Sequence, residues 1–503
     1  MPTIDRRQFL VVGSLAALGI GLTACTTDGD WVAIEASALD DLRKRLHGTV
    51  LIPGDDGFTN AWMPTNGRYR DTVPMVVARV ADETDVVACV NWAREHNIQP
   101  VPRGGGHNYA GLSTTTGLII DLSKLNAVTI DTDAATMVTG GAASNGDIFG
   151  ASTGGGLILP GGTCLSVGIG GLALGGGIGY HTRWAGLTAD LLTGTRMVTA
   201  SGDIALASAS KNPDLFWASR GGAGGNFGIN TEFTFDLVPV PTGDIVYYRF
   251  DWRGADAALA MFSAVDALEQ TAPPEFVASG MAQATPVGAD GPREAIDVML
   301  RGQFLGSIDD FMSLIAPLLA AAPPAKQQIV AQPFWETAKI FTSAEATNHS
   351  WGDISRYTDA ALPASALQKM VDLVVDTPSR TETDNAAMFM LGWVGGDVVD
   401  RFDRTETAYV HRGMKNMVRP SPVWSNTADA GVADDLMDWT DDVISVFDPH
   451  TPRESYQNFP NRRIDDWAQQ YYAENLDRLI DVKAEWDPDN LFHSEQSIPT
   501  AAS

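Results

Sequence analysis

Cysteine is scarce. The 503 residues hold three, Cys25, Cys89 and Cys164, in unrelated contexts, so no disulfide framework is implied. No Cys-x-x-Cys and no His-Glu-x-x-His occurs, which removes the common zinc signatures. Positive charge is also short: 34 Lys and Arg stand against 62 Asp and Glu, a formal net charge of −28. Such a surface repels phosphate backbones, which argues against nucleic acid as a partner. Long apolar runs are missing too. The one stretch of note, Phe9 to Leu22, falls short of the roughly 20 residues that a spanning helix needs. Asp5-Arg6-Arg7-Gln8-Phe9-Leu10 at its start reads as a twin-arginine export signal. Leu22-Thr23-Ala24-Cys25 is similar to a lipobox, so the alternatives are a membrane anchor through a lipid on Cys25 and cleavage near Ala24 beside an incidental cysteine. No internal repeat is visible.

What the chain does have is glycine. There are 50, clustered between Gly104 and Gly228, within an otherwise ordinary composition of 44% hydrophobic and 19% charged residues. Around these clusters the pattern is α+β. Met75 to Val80 reads as a buried strand and Asp82 to His96 as a helix capped by Asp82, with Val86, Val87, Val90 and Ala93 on one face. Cys89 in that helix reads as a small buried apolar residue. Leu118 to Leu122 and Ala127 to Ile130 are further strands. Ser201-Gly202-Asp203 turns a hairpin between Arg196–Ala200 and Ile204–Ala207. Asp214 to Arg220 reads as a short helix and Thr231 to Leu237 as a strand before the boundary at Pro239 and Pro241. Glycine then thins, and strands such as Asp297–Phe304 alternate with helices such as Ala364–Val375, as in a sheet covered by helices on one face. In the tail, Ile464, Trp467 and Tyr471 share a helical face that Leu476, Leu479, Ile480 and Lys483 continue until Asp487-Pro488.

Gly168-Ile169-Gly170-Gly171-Leu172-Ala173 matches the dinucleotide fingerprint G-x-G-x-x-A, but its context is wrong. A loop precedes it, and Gly175-Gly176-Gly177 would spoil the helix. The better reading is a cradle of backbone amides. Gly104–Gly106, Gly168–Gly171 and Gly222–Gly228 could together wrap one extended dinucleotide, because bare glycine N–H groups approach a pyrophosphate without Cβ clashes.

Several longer motifs resemble the berberine-bridge-enzyme-like branch of the FAD-linked oxidases, which share the vanillyl-alcohol-oxidase, PCMH-type FAD-binding fold. They are RGGGHNYAG at 103–111, PGGTCLSVGIGGLALGGGIG at 160–179, WASRGGAGGNFGI at 217–229 and YQNFPN at 456–461, followed by Asp487-Pro488-Asp489-Asn490-Leu491-Phe492. The resemblance implies a signal over 1–30, an FAD-binding domain over 31–243 and a substrate domain over 244–450. That substrate domain would hold an antiparallel sheet under helices, and a segment over 451–503 would return to close the FAD domain. It also implies covalent FAD, bonded through His107 to the flavin 8α-methyl and through Cys164 to ring carbon 6. A neutral imidazole nitrogen and a thiolate are the nucleophiles suited to such bonds. Arg103, Gly104, Gly105, Gly106, Asn108, Thr163, Val167, Gly168, Gly171, Gly228, Ile229 and Asn458 complete the implied FAD contacts.

Three positions depart from the family. Leu172 stands where many plant members carry a His; Phe459 replaces a Tyr or His that serves as base; Met417 and Val418 fall where some members supply a catalytic Glu. Tyr456 is the substitute candidate for the base, its alternative being a packing aromatic whose hydroxyl makes a hydrogen bond. Val167 matches a position where valine goes with oxidases, so oxygen is the expected acceptor. His181 and His411 are expected to be structural. The expectation is an oxidase acting on an alcohol, sugar or secondary metabolite and forming hydrogen peroxide. A dehydrogenase with another electron acceptor and a flavin-bearing binding protein are the alternatives. Trp335, Trp351, Tyr357 and Trp393 are candidates to line the substrate site, with core packing as the competing role.

Overall fold

The computed structural model describes residues 22–25, 31–284, 296–343, 349–378, 385–392 and 394–500. Arg6, Arg7 and most of the apolar stretch after them lie outside the described residues, as does Trp393. Cys25 ends a short strand, Leu22–Cys25, that pairs with Trp31–Ile34.

The architecture is α+β, and three larger sheets carry it among the described residues. The first has four short strands in the order Thr49–Leu51, Val76–Arg79, Leu118–Asp121, Pro100–Arg103. The last three run parallel, as a crossover through a helix requires. That helix, Glu83–Glu95, begins where Asp82 accepts hydrogen bonds from the backbone N–H groups of Thr84 and Asp85. It buries Val86, Cys89, Val90, Trp92 and Ala93 against the sheet. Burial pushes the Cys89 thiol pKa far up, so it behaves as an apolar side chain.

The second sheet is antiparallel, in the order Ile204–Ser208, Leu192–Thr199, Gly228–Asp236, Thr136–Gly140, Val128–Asp131. The hairpin turns through Ser201-Gly202-Asp203, with Gly202 at φ +86°, as the local sequence demands. The strand expected from Thr231 starts earlier, at Gly228, because Gly228 to Asn230 pair with Thr199 to Met197.

From Asp244 onward the chain builds an antiparallel sheet of eight strands. Its path is Lys326–Pro333, Asp244–Arg253, Ile296–Phe304, Phe276–Ala284, Asn385–Leu391, Asn416–Ser425, His349–Trp351, and Arg356–Thr358 also pairs with Asn416–Ser425. Four helices, Ala255–Glu269, Ile308–Ala321, Ala364–Val375 and Ala430–Phe447, cover one face. There Tyr248, Phe250, Ala278, Leu300, Met388 and Val418 form a core with Met261, Phe311, Met370 and Val443. Side chains alternate along a strand, so the neighbouring residues Tyr247, Val277, Leu391 and Met417 point the other way, against Tyr180, Phe341, Tyr409 and Tyr456. The site forms against this second face.

The tail ties the parts together. Its helix starts at Trp467 rather than at Ile464, which is buried just ahead of it, and a second helix, Leu476–Trp486, stops before Pro488. Lys483 is wholly buried and donates to the Asp487 carboxylate at 2.6 Å and to the carbonyls of Asn226 and Phe492 at 2.8 and 2.6 Å. Ile498 N–H donates to Asn226 Oδ1, so the tail clamps the second glycine loop from two sides.

Candidate active site

The three glycine clusters meet around one cavity of about 460 Å³. Gly105 and Gly168 face each other across it at backbone contact. A Cβ on Gly105 would sit 2.4 Å from Ser166 O and 2.5 Å from Gly168 N, and one on Gly168 would sit 2.6 Å from Gly105 N. Gly171 and Gly225 also line the cavity, and a Cβ on either would meet nothing within 4 Å. Their bare backbone therefore faces open space of the kind a dinucleotide's phosphates need, and the residues fit such a group. The fingerprint at Gly168–Ala173 opens a helix of only six residues, Ile169–Leu174, ended by Gly175. That agrees with the rejection of a doubly wound nucleotide fold.

His107 follows the strand Pro100–Arg103. Its loop is pinned by the Gly106 carbonyl, which accepts from Thr65 N–H, and by Asn108 Oδ1, which accepts from Ala110 and Leu112 N–H at 3.0 Å each. The imidazole packs against the rings of Tyr109 and Trp351, at 5.9 and 5.7 Å between centroids, and those two rings meet each other at 5.9 Å. Cys164 sits on the loop before Gly168. Its carbonyl accepts from Asn145 Nδ2, and its neighbours bond to both sides of Ser343, whose hydroxyl lies 3.5 Å from the thiol sulfur. The cavity wall includes Gly104, Gly105, Gly106, His107, Asn108, Thr163, Cys164, Val167, Gly168, Gly171, Gly228, Ile229, Tyr456 and Asn458.

Arg103 is the exception. Its guanidinium turns away from the cavity and donates to the carbonyls of Ser113, Ala61 and Trp62. It braces the glycine loop from behind rather than facing a ligand.

The aromatic candidates need a second correction. Neither Trp335, Trp351 nor Tyr357 lines this cavity. Trp335 donates to Gly155 O at the edge of a separate small pocket, Trp351 backs His107, and Tyr357 is buried against Tyr409, hydroxyl to hydroxyl at 2.8 Å. Besides Tyr456, Tyr471 and Tyr472, the aromatic residues that line the cavity are Tyr109, Tyr180, Phe389 and Phe459. With them the sheet contributes Ser279, Arg301, Leu391 and Arg419, none of which has a distinctive local sequence. Only the alternation of their strands could have pointed to them.

Tyr456 is 2% exposed, and its hydroxyl oxygen accepts from Gly177 N–H at 2.8 Å and Asn458 Nδ2 at 3.1 Å. Burial pushes the phenol up to about 12, against the pull of those two donors. Gly176 and Gly177, at φ +128° and +80°, let the backbone turn under that hydroxyl. His181 lies outside this cavity, where burial lowers its pKa to about 4. His411 is buried behind Gln457 and bonds Glu454 at 2.7 Å and Gln457 Oε1 at 3.0 Å. Both have partners that make them structural.

A family model described as an FAD binding domain matches residues 74–208, and one described as berberine and berberine like matches residues 455–499. Over 465 residues the chain is 29% identical to the FAD-linked oxidoreductase YgaK of Bacillus subtilis, spanning 91% of this chain and 98% of that protein. Monolignol oxidoreductase AtBBE-like 13 of Arabidopsis thaliana is 26% identical over 476 residues, 87% of this chain and 85% of that protein. A variant of BBE-like 1 from Physcomitrella patens superposes with a TM-score of 0.81 at 25% identity, covering 92% of this chain and 99% of that one. Two further structures share the fold at 23% identity, each covering 92% of this chain and 99% of its own. They are xylooligosaccharide oxidase from Myceliophthora thermophila with xylobiose, TM-score 0.79, and glucooligosaccharide oxidase from Acremonium strictum, which carries a 6-S-cysteinyl, 8α-N1-histidyl FAD, TM-score 0.80.

Proposed function

We propose that the chain is a berberine-bridge-enzyme-like FAD-binding oxidoreductase, an oxidase whose flavin is held by two covalent bonds, to His107 and Cys164. Its substrate is an alcohol, sugar or secondary metabolite, and its electron acceptor is oxygen, released as hydrogen peroxide. The observation that carries this reading is that His107 and Cys164 both line the same glycine-walled cavity. Glucooligosaccharide oxidase, on the same fold, carries the corresponding pair of links.

Bound FAD supplies a two-electron hydride acceptor that oxygen can regenerate. The chain's own residues do the rest. The loops at Gly104–Gly106, Gly168–Gly171 and Gly222–Gly228 offer backbone amides to the pyrophosphate. The sheet wall, with Tyr109, Tyr180, Phe389 and Phe459, orients the substrate and excludes water. Tyr456, in its phenolate form, takes the hydroxyl proton; Gly177 N–H and the Asn458 amide, both aimed at its oxygen, stabilise the negative charge that the oxygen carries before the transfer. Val167, small and in the cavity wall, leaves room for oxygen. We also propose export through the Arg6–Arg7 signal, with a lipid on Cys25 as the anchor.

The deciding experiment is acid precipitation of the purified protein, followed by flavin absorbance of pellet and supernatant, with oxygen uptake measured on a panel of alcohols and sugars. Colour that stays in the pellet and is lost in the His107→Ala, Cys164→Ala double variant supports the double link, and colour in the wild-type supernatant sinks it. Substrate that bleaches the flavin without oxygen uptake would make the protein a dehydrogenase. No bleaching by any compound would favour a binding protein. Fractionation of cells expressing the full chain and the Cys25→Ala variant tests export and anchoring.

A further inference from the structure

We propose that the substrate is an anion, an alcohol or sugar that also carries a carboxylate, held by Arg301 and Arg419. This rests on the reading above that a flavin occupies the glycine-lined side of the cavity.

Charge is distributed against expectation here. The chain carries −28, yet among the described residues lining the cavity there is no Asp or Glu, and there are two arginines. Both come from the eight-stranded sheet, on Ile296–Phe304 and Asn416–Ser425. Their strand neighbours Leu300 and Val418 point into the helix-covered core, so alternation sends Arg301 and Arg419 to the wall that faces the FAD-binding part.

Arg301 donates through Nε to the Tyr180 hydroxyl at 2.8 Å, a neutral partner. Its cross-strand neighbour is Ser279, which also lines the cavity and adds a hydroxyl to the same wall. No carboxylate pairs with Arg301 among the described residues.

Arg419 is held differently. Its guanidinium carbon lies 4.8 Å from the Phe389 ring centre and 4.9 Å from that of Phe459. One carboxylate, Asp353, reaches Nη1 at 3.3 Å, and the Ser421 hydroxyl lies 3.1 Å from each oxygen of that carboxylate. Arg419 Nε is buried and makes no hydrogen bond among the described residues. A buried donor left open is unfavourable, and a ligand that accepts from it removes that penalty.

A guanidinium beside two aromatic rings offers its edge, and that planar edge matches a carboxylate in two parallel hydrogen bonds. A neutral sugar or alcohol would leave Arg301 without an anionic partner and would add no negative charge beside Arg419. A substrate carboxylate supplies the missing negative charge, while its hydroxyl-bearing carbon remains to be oxidised.

The test uses pairs that differ only in that charge: 4-(hydroxymethyl)benzoate with its methyl ester, and D-glucuronate with its methyl ester. Isothermal titration calorimetry on the flavin-loaded protein should show at least one acid binding tenfold or more tighter than its ester. Arg301→Met and Arg419→Met should each remove most of that preference, with wild-type flavin content and circular dichroism as the check on folding. Arg301→Lys and Arg419→Lys should keep part of it. The proposal is overturned if neither acid out-binds its ester, or if the preference survives both Met variants. The flavin's own absorbance is read separately. A protein that purifies without flavin sinks the oxidase reading, whereas equal binding of acid and ester by a yellow protein sinks only the anion.

Discussion

Gly105→Ala probes the geometry on which the site depends. A methyl there would lie 2.4 Å from Ser166 O and 2.5 Å from Gly168 N, both backbone atoms that cannot rotate aside. Ordinary contact needs about 3.4 Å, so the two loops must part by about 1 Å. Overpacking of that kind costs about 1–3 kcal/mol. At roughly 2–4 °C per kcal/mol for a domain of this size, the melting temperature should fall by about 2–12 °C. The functional loss should exceed the loss of stability. His107 follows one of the separated loops and Cys164 precedes the other, and a misplacement of about 1 Å is enough to cost about a hundredfold in a positioned reaction. The assay is covalent flavin per protein after acid precipitation, alongside a thermal scan. Gly156→Ala is the control, since a methyl there meets nothing within 4 Å. Wild-type flavin content in Gly105→Ala, with a melting temperature equal to that of the control, would refute the argument that these loops touch.

Four other outcomes follow from the same structure. Cys164→Ala should keep flavin in the acid pellet through His107 while shifting its spectrum and lowering its potential; an unchanged spectrum would remove the second link. Tyr456→Phe should slow flavin reduction while substrate affinity holds. In the wild type that rate should climb with pH through the alkaline range toward the phenol's value of about 12, and in the variant it should be flat; matching profiles would retire Tyr456 as proton acceptor. Asp266, raised to about 6 chiefly by burial, binds its proton more tightly folded than unfolded, so its contribution to stability is present below about pH 4 and lost as pH rises to 6. Asp266→Asn should therefore match the wild type at pH 4 and exceed it by about 1–3 kcal/mol at pH 7 in chemical denaturation, and equal stability at pH 7 would contradict this. Lys483→Met removes one partner of a fully buried pair and should cost about 3–5 kcal/mol, with Lys483→Met, Asp487→Leu recovering part of it; a melting temperature within about 2 °C of wild type would show the clamp to be dispensable.

Local sequence settled the local structure because its causes are local. Asp82 caps its helix through hydrogen bonds two and three residues on, and Ala364–Val375 buries one face set by a 3.6-residue period. The glycine clusters were legible for the same reason: bare backbone is a property of the residue itself, and His107 and Cys164 stood beside it. Arg103, which adjoins the same cluster, was misassigned because sequence adjacency says nothing about which way a side chain turns. Its direction is set by the carbonyls of Ala61, Trp62 and Ser113, which folding brings together.

The substrate wall was hidden altogether. Trp335, Trp351 and Tyr357 were conspicuous as residue types, yet contacts outside the cavity wall claimed them. Arg301 and Arg419 are 118 residues apart in number and look like any other arginines. Only the register of the eight-stranded sheet, with helices claiming one face, decides that every second residue of those strands meets the flavin side. The sequence by itself determined most of the elements, the glycine clusters, and the placing of His107 and Cys164 beside them. Tertiary structure alone decided what faces them, because a side chain's surroundings depend on strands and loops far away along the chain.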